Sequence, residues 1–328
     1  MEQTIRKDFI DIAKAIGLIM VIYVHTEGSF KFYGGFYIAL FFIASGYVFK
    51  KKKDLDFTKF IHSKWKRLVV PYVIFSILFI LYFKNIDTNS LIGVVYSRFC
   101  LFPFGTENNI IFMESGNMVL WFLTAMFTSY LFFYLIIRFH FYRLYLIPIF
   151  LIITFFLNKL PILLPWSLDT AFFFSLFLYC GYLFKTTDIV EKSNNYFIII
   201  ALLLCVSISI INGGVNLSVR IYGHSIAANL ITGITGSYLC LILSKWIEKT
   251  KMCKLMSAIG RNSLSIFSVQ MVILYKLHFL NTLLFEKFSL PINDFSVSMV
   301  GLIKVVIVIS IGFFISRLLS FFLPTIFN

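Results

Sequence analysis

The chain has 328 residues, of which 59% are hydrophobic and 13% are charged, and its formal net charge is +14. A soluble domain has roughly 45–50% apolar and about 25% charged residues, so this composition excludes an ordinary soluble protein and predicts one membrane domain over residues 1–328. The positive charge does not predict a nucleic-acid partner, because the basic residues lie in short segments between apolar runs, where membrane topology already accounts for them.

Ten apolar runs, each close to the length that crosses a bilayer, predict an all-α polytopic membrane protein with no soluble domain. The predicted spans are 9–27, 34–50, 68–84, 118–137, 144–158, 168–185, 196–212, 224–244, 262–280 and 299–323.

The first span carries three polar groups, Asp11, Lys14 and His25. Ionisable residues inside spans are costly and usually functional. At 100° per residue, Lys14 and His25 lie within about 20° of each other on the helix and about 16 Å apart along it. Asp11 can pair with Lys14, three residues away. The alternative is a neutralising Asp11–Lys14 pair near the membrane surface and a histidine that only caps the span; three aligned groups favour a functional face.

A basic cluster surrounds the second and third spans. Positive-inside topology and attraction to anionic lipid explain Lys50–Lys53 well. Arg67, with Lys66 and Lys64 before it, stands where the third span begins, and its planar guanidinium suits a phosphate. The segment Thr58–Lys66 is amphipathic and predicts an interfacial helix.

The longest segment between spans is 85–117, and loops of that length are often functional. Glu107 and Glu114 in this loop can bind sugar hydroxyls, although solvated carboxylates are more common. Trp121, just after it, can stack on a sugar ring or anchor the chain at the interface.

Gly46 in the second predicted span and Gly181 in the sixth are small residues within apolar helices. Small residues allow two helices to approach closely. Close helix packing is therefore the preferred interpretation of both.

The orientation follows from the basic residues. With a cytoplasmic N-terminus, 19 of the 29 lysines and arginines lie on the cytoplasmic side, seven lie outside and three lie within spans. The positive-inside rule then predicts a plasma-membrane protein with both termini in the cytoplasm and the loop 85–117 outside.

Six segments, taken in order, resemble the acyltransferase-3 family of integral membrane acyltransferases, and within it the fucose-4-O-acetylase-like sugar O-acetyltransferases. The first segment is DIAKAIGLIMVIYVH, which contains Lys14 and His25 at the family's basic-x10-histidine spacing. The others are FFIASGYVF, KWKRLVVPY, LWFLTAMF, LYCGYLF and GRNSLSIFSVQ. Gln270 stands where relatives often have a histidine, which argues against a catalytic base in the ninth span.

The resemblance implies transfer of an acetyl group from acetyl-CoA to a hydroxyl of a cell-envelope carbohydrate, free or lipid-linked, without a metal. It implies His25 as general base or transient acyl carrier, since histidine has a suitable pKa. Lys14, Lys66 and Arg67 are then expected to bind the donor, and Glu114 and Trp121 the acceptor. Some relatives carry a fused hydrolase-like domain that these 328 residues do not contain, so we expect the chain to act alone or with a separate envelope-assembly partner.

Two other functions remain open at this point. A transporter or flippase for a lipid-linked sugar also needs many spans and buried charge, but it has no specific need for a lysine and a histidine in register. A non-catalytic member that recruits envelope-assembly partners is the second.

Overall fold

The structure is a computed structural model that describes residues 8–26, 35–51, 56–84, 86–103, 109–113, 118–288 and 291–322. These residues are mainly helical, and within them β-structure is limited to the isolated bridges Cys100–Ile111 and Asn216–Ile221. The helices are α1 (Asp8–Val24), α2 (Phe36–Tyr47), α3 (Phe57–Lys64), α4 (Val70–Phe83), α5 (Thr88–Tyr96), α6 (Trp121–Arg138), α7 (Arg143–Leu157), α8 (Leu168–Thr186), α9 (Asn195–Asn212), α10 (Ile226–Glu248), α11 (Cys253–Arg261), α12 (Ser263–Lys276), α13 (Phe279–Asn281) and α14 (Asp294–Phe322).

The centre of the bundle is α1, which contacts α2, α10, α11, α12 and α14. A second layer forms where α2 packs on α8 and α10, and α8 packs on α6 and α7. The apolar residues of α1, α2, α6 and α8 belong to one continuous core, whereas α9 and much of α14 turn apolar side chains outward. Outward apolar side chains are what a lipid-facing helix requires.

The contact between α2 and α8 depends on two glycines. A Cβ atom on Gly46 would lie 1.9 Å from the Leu178 carbonyl oxygen, and one on Gly181 would lie 2.0 Å from that of Ile43. No side chain fits either space, so the two backbones approach as closely as glycine permits. The interpretation of these glycines as close-packing residues is confirmed.

The protein is a membrane protein, and the number of its spans can be bounded. Within the described residues, six helices are long and apolar enough to cross a bilayer, or seven if the bent pair Ser263–Lys276 and Phe279–Lys287 forms one span. Every one of the ten predicted segments contains a helix. However, α1, α2 and α7 are short, with 17, 12 and 15 residues. Ten spans therefore stay a prediction.

The basic segment before the third predicted span is part of that span's helix. A π-helical turn, Trp65–Val69, joins α3 to α4, so that Phe57–Phe83 is one helix of 27 residues. Asp56 caps its start by accepting a hydrogen bond from the Lys59 backbone N–H. The structure thus contains a helix at the predicted segment Thr58–Lys66, and that helix continues into α4 through one wide turn. Its position at the membrane interface stays a prediction.

Candidate functional site

A large cavity, here called the basic cavity, lies between α1, α2, α6 and the junction of α11 with α12. Its volume is about 940 Å³, which lies within the range of small-molecule sites. The described side chains that give it its charge are the cations Lys14, Lys50, Lys64, Arg67, Lys185 and Arg261 and the carboxylate of Asp11. Six positive charges face one negative charge, so the cavity is suited to a polyanion.

Lys14 and Arg261 each lie close to a carboxylate in the described part of the chain. The Lys14 ammonium lies 3.3 Å from an oxygen of buried Asp11, one helical turn earlier. Arg261 lies 3.5 Å from Asp8 at the cavity edge. Elsewhere, the Lys185 ammonium donates to the Phe49 carbonyl oxygen at 2.9 Å. The cavity thus combines locally balanced charges with positive charge left for a ligand.

Basic residues at and beside the π-helical turn line the basic cavity. Lys64 and Arg67, three residues apart, both line it, and the Lys64 ammonium lies 3.9 Å from the centre of the Tyr130 ring. Lys66 lies between them, is exposed, and is not among the lining residues. π-turns are frequent at functional sites, where one wider turn reorients side chains. The structure brings Lys14 and Arg67 together at one cavity and leaves Lys66 outside.

The junction of α11 and α12 adds residues to which sequence reasoning assigned no role. Arg261, Asn262, Ser263 and Ser265, from the GRNSL segment, line the basic cavity. The Ser316 hydroxyl of α14 donates to the Asn262 side-chain oxygen at 2.6 Å, which fixes the junction against α14. The signal in the sequence that could have identified these residues was the resemblance of the GRNSL segment to the family. The spacing of residues did not predict a short helix here.

A second cavity, here called the histidine cavity, lies at the other end of α1. Its volume is about 460 Å³. Its polar lining residues are His25, Tyr37, Asn109, Asn216 and Ser218. The remaining wall is mainly aliphatic and aromatic and includes Trp121. Such a cavity, apolar with a few polar groups, is typical of a site that orients a small ligand.

The histidine that lines this cavity has a defined tautomer. The Nδ1 atom of His25 lies 2.7 Å from the Val21 carbonyl oxygen. Because a carbonyl oxygen only accepts, Nδ1 carries the hydrogen and donates it. The lone pair is therefore on Nε2, and the backbone of α1 itself holds the ring in the form that accepts a proton there.

Trp121 lies in the wall and away from the lipid-facing surface. It is 6% exposed and packs against Phe122 and Phe174. Burial against the core fits a contact surface for a ligand better than an interfacial anchor. Glu107 and Glu114, the expected acceptor carboxylates, lie outside the described residues.

The two cavities meet at three phenylalanines. Phe41 of α2, Phe122 of α6 and Phe267 of α12 line both cavities, and this trio is here called the aromatic partition. Phe41 and Phe122 have ring centres 5.5 Å apart in an edge-to-face arrangement. Phe122 and Phe267 have ring centres 5.2 Å apart. The basic cavity and the histidine cavity are therefore neighbours along α1, separated by aromatic side chains.

A buried ion cluster holds the far wall of the histidine cavity. Asp169, at the start of α8, accepts hydrogen bonds from both Arg98 and Arg220 and from the Leu164 backbone N–H. Arg98 also donates to the Ser218 carbonyl oxygen at 2.8 Å. The cluster ties together the wall segments that contain Phe99, Cys100 and 216–219. It was missed from the sequence, in which Arg98 and Arg220 read as ordinary loop charges.

Comparison with known proteins gives one match. The family model described as an acyltransferase domain, that of the acyltransferase-3 family, covers residues 7–326. No curated protein matches the chain. No solved structure matches it.

Proposed function

Because the chain belongs to the acyltransferase-3 family over nearly its whole length and is thus a membrane acyltransferase, we propose that it moves an acetyl group from acetyl-CoA to a hydroxyl of a cell-envelope carbohydrate. The observation that carries the proposal is the meeting of the two cavities at the aromatic partition. One cavity is suited to a polyanionic donor and the other contains a base. Residues of the same helix, α1, line both cavities.

The donor occupies the basic cavity. CoA carries several phosphate charges, and the cavity lining offers six cations, among them the guanidiniums of Arg67 and Arg261. Guanidiniums bind phosphate through two parallel hydrogen bonds, and ammonium groups such as that of Lys64 act as point charges. With the phosphates held there, the thioester end of the donor points along α1 toward the partition.

The acceptor occupies the histidine cavity. A sugar ring has apolar faces and a polar rim, and this cavity offers the Trp121 ring together with Asn216, Ser218 and Tyr37. A hydroxyl beside His25 then faces the partition through which the acyl group arrives. The acceptor is therefore a carbohydrate hydroxyl, free or lipid-linked.

The chemistry follows from the tautomer of His25. Nε2 takes the proton of the hydroxyl as its oxygen attacks the thioester carbonyl. The new C–O bond forms, the C–S bond breaks, and the proton on Nε2 passes to the departing CoA sulfur. The Val21 carbonyl stabilises the cationic imidazolium through its hydrogen bond to Nδ1,. Lys14, about 16 Å away along the helix, takes no part in the proton transfer.

The test is acetyl transfer by the purified protein. With radiolabelled acetyl-CoA and a panel of p-nitrophenyl hexosides, the wild type should release CoA and label at least one sugar. Removing a general base typically costs about 10²–10⁴ in rate. We expect His25→Ala to lose that factor, and His25→Gln nearly as much, because an amide does not take the proton.

The matched control is His62→Ala, since His62 is exposed on α3 and lines neither cavity. It should keep wild-type activity. Near wild-type acetyl transfer by His25→Ala would show that His25 is not the general base. A wild-type protein that moves a lipid-linked sugar across liposomes without releasing CoA would instead support the transporter.

A further inference from the structure

We infer that the aromatic partition selects the acyl group by its cross-section, so that straight acyl chains pass and branched ones are rejected. This inference rests on the proposed function, because it requires a donor in the basic cavity and an acceptor beside His25. It assigns a role in acyl-group specificity to Phe41, Phe122 and Phe267, which neither bind the phosphates nor accept the proton.

The geometry makes the partition a constriction. Phe41, Phe122 and Phe267 come from three different helices, and each is at most 8% exposed. Phe122 is held from behind by Phe42, whose ring centre lies 5.4 Å away, and Phe42 stacks on Phe174. An acyl group that travels from the basic cavity to His25 has to pass between these rings.

Phe41 has little room to retreat. A Cβ atom added to Gly17 of α1 would lie 3.0 Å from the Phe41 Cε2 atom. Gly17 lies one turn beyond Lys14 and two turns before His25, so the partition sits between the two functional ends of α1. The ring of Phe41 rests directly on the helix backbone there, and the side of the constriction that α1 supplies is rigid.

A narrow passage discriminates by width rather than by length. Beyond the carbonyl group that all these donors share, a straight chain presents the cross-section of one methylene, so acetyl and butyryl groups need the same opening. An isobutyryl group has the same atoms as butyryl but carries two methyl groups on one carbon. It requires the rings to separate, and overpacking of a well-packed site is unfavourable. The partition therefore favours butyryl over its isomer.

The experiment compares butyryl-CoA with isobutyryl-CoA as donors for the purified protein, with release of the CoA thiol as the readout. A single misplaced methyl group is worth on the order of 10- to 200-fold in specificity, and the wild type should prefer butyryl by a factor in this range. Phe267→Ala and the milder Phe267→Leu open the constriction and should bring the ratio close to unity. Gly17→Ala pushes Phe41 into the passage and should slow acetyl transfer.

The control is Phe177→Leu, since Phe177 is fully buried in the core and lines neither cavity. It should keep the wild-type ratio. Calorimetric titration with CoA alone shows that each variant is folded and that its basic cavity is intact; if Phe267→Ala binds no CoA, Phe267→Leu decides. If a Phe267 variant binds CoA and transfers acetyl but keeps the wild-type ratio of butyryl to isobutyryl transfer, the aromatic partition does not select the acyl group. Failure of the wild type to bind CoA or transfer acetyl would overturn the proposed function instead.

Discussion

Two neighbouring basic residues, Lys66 and Arg67, differ in what surrounds them. Both are exposed, but only Arg67 lines the basic cavity. Adjacent side chains on a helix project in different directions, and of these two only Arg67 reaches the cavity. Adjacent residues of similar charge therefore provide an internal control for electrostatic donor binding.

We expect Arg67→Ala to weaken CoA binding by roughly tenfold at low salt, the order of one charged hydrogen bond. The loss should shrink at high salt, since salt screens exposed ionic contacts. Titration calorimetry at two ionic strengths measures this. Lys66→Ala should leave the affinity nearly unchanged. Equal losses for the two variants would mean that overall positive charge, rather than a defined contact, binds the donor.

At the scale of residues, helical register predicted side chains that line a cavity, whereas adjacency in the sequence did not. Lys14 and His25 were singled out by their helical register, and the structure gives each of them a place in a cavity wall. Lys66 was included because it is adjacent to Arg67, but adjacent side chains on a helix point in different directions. Lys185 and Arg261 could not be assigned from register, because helices distant in the sequence bring them to the basic cavity.

At the scale of helices and their connections, the cluster of Arg98, Asp169 and Arg220 joins segments that the sequence keeps far apart. Asp169 is fully buried and accepts hydrogen bonds from both guanidiniums. A buried ion pair adds little net stability when intact, but losing one partner leaves uncompensated charge. The wall of the histidine cavity depends on this balance.

Asp169→Asn should therefore destabilise the protein by about 3–5 kcal/mol, the cost of breaking a buried pair. Thermal unfolding in detergent, followed by circular dichroism, measures the shift. The matched control is Asp188→Asn, because Asp188 pairs with Lys192 at the surface, with a 3.8 Å separation and 58% of its side chain exposed. That variant should unfold close to the wild-type temperature. Equal shifts for the two would show that Asp169 is not a structural counter-ion.

Hydropathy predicted where the long apolar helices occur, but it predicted neither the short helix α11 nor the long-range ion pairs. Each predicted span contains a helix, because an apolar run in a membrane satisfies its backbone hydrogen bonds most readily as a helix. The α11 helix lay in a segment expected to be a cytoplasmic loop, since its nine residues are too few to form a span. Long-range pairing such as Arg98 with Asp169, 71 residues apart, leaves no local pattern to detect.

For the whole molecule, the distribution of basic residues predicts which side of the membrane each end of α1 faces. In a chain whose five cysteines are replaced by alanine, Asn89→Cys on α5 should react with a membrane-impermeant maleimide added to intact cells. Lys251→Cys should react only after the cells are opened. Both positions are exposed in the structure. The reverse pattern would invert the topology and place the basic cavity on the outer side.

The meeting of two cavities at the aromatic partition has a consequence for the permeability of the membrane. In the proposed arrangement the basic cavity faces the cytoplasm and the histidine cavity faces outward, so that the aromatic partition replaces most of a hydrocarbon layer roughly 30 Å thick. The electric field across the membrane would then fall over the width of the partition. A unit charge that crossed it would exchange about 2.3 kcal/mol per 100 mV with the field. In the proposed reaction the acetyl group is neutral and would cross without electrical work, while the donor phosphates would stay in the basic cavity. Under the proposed function, the rings that admit the acyl group would therefore also resist the passage of ions through the protein.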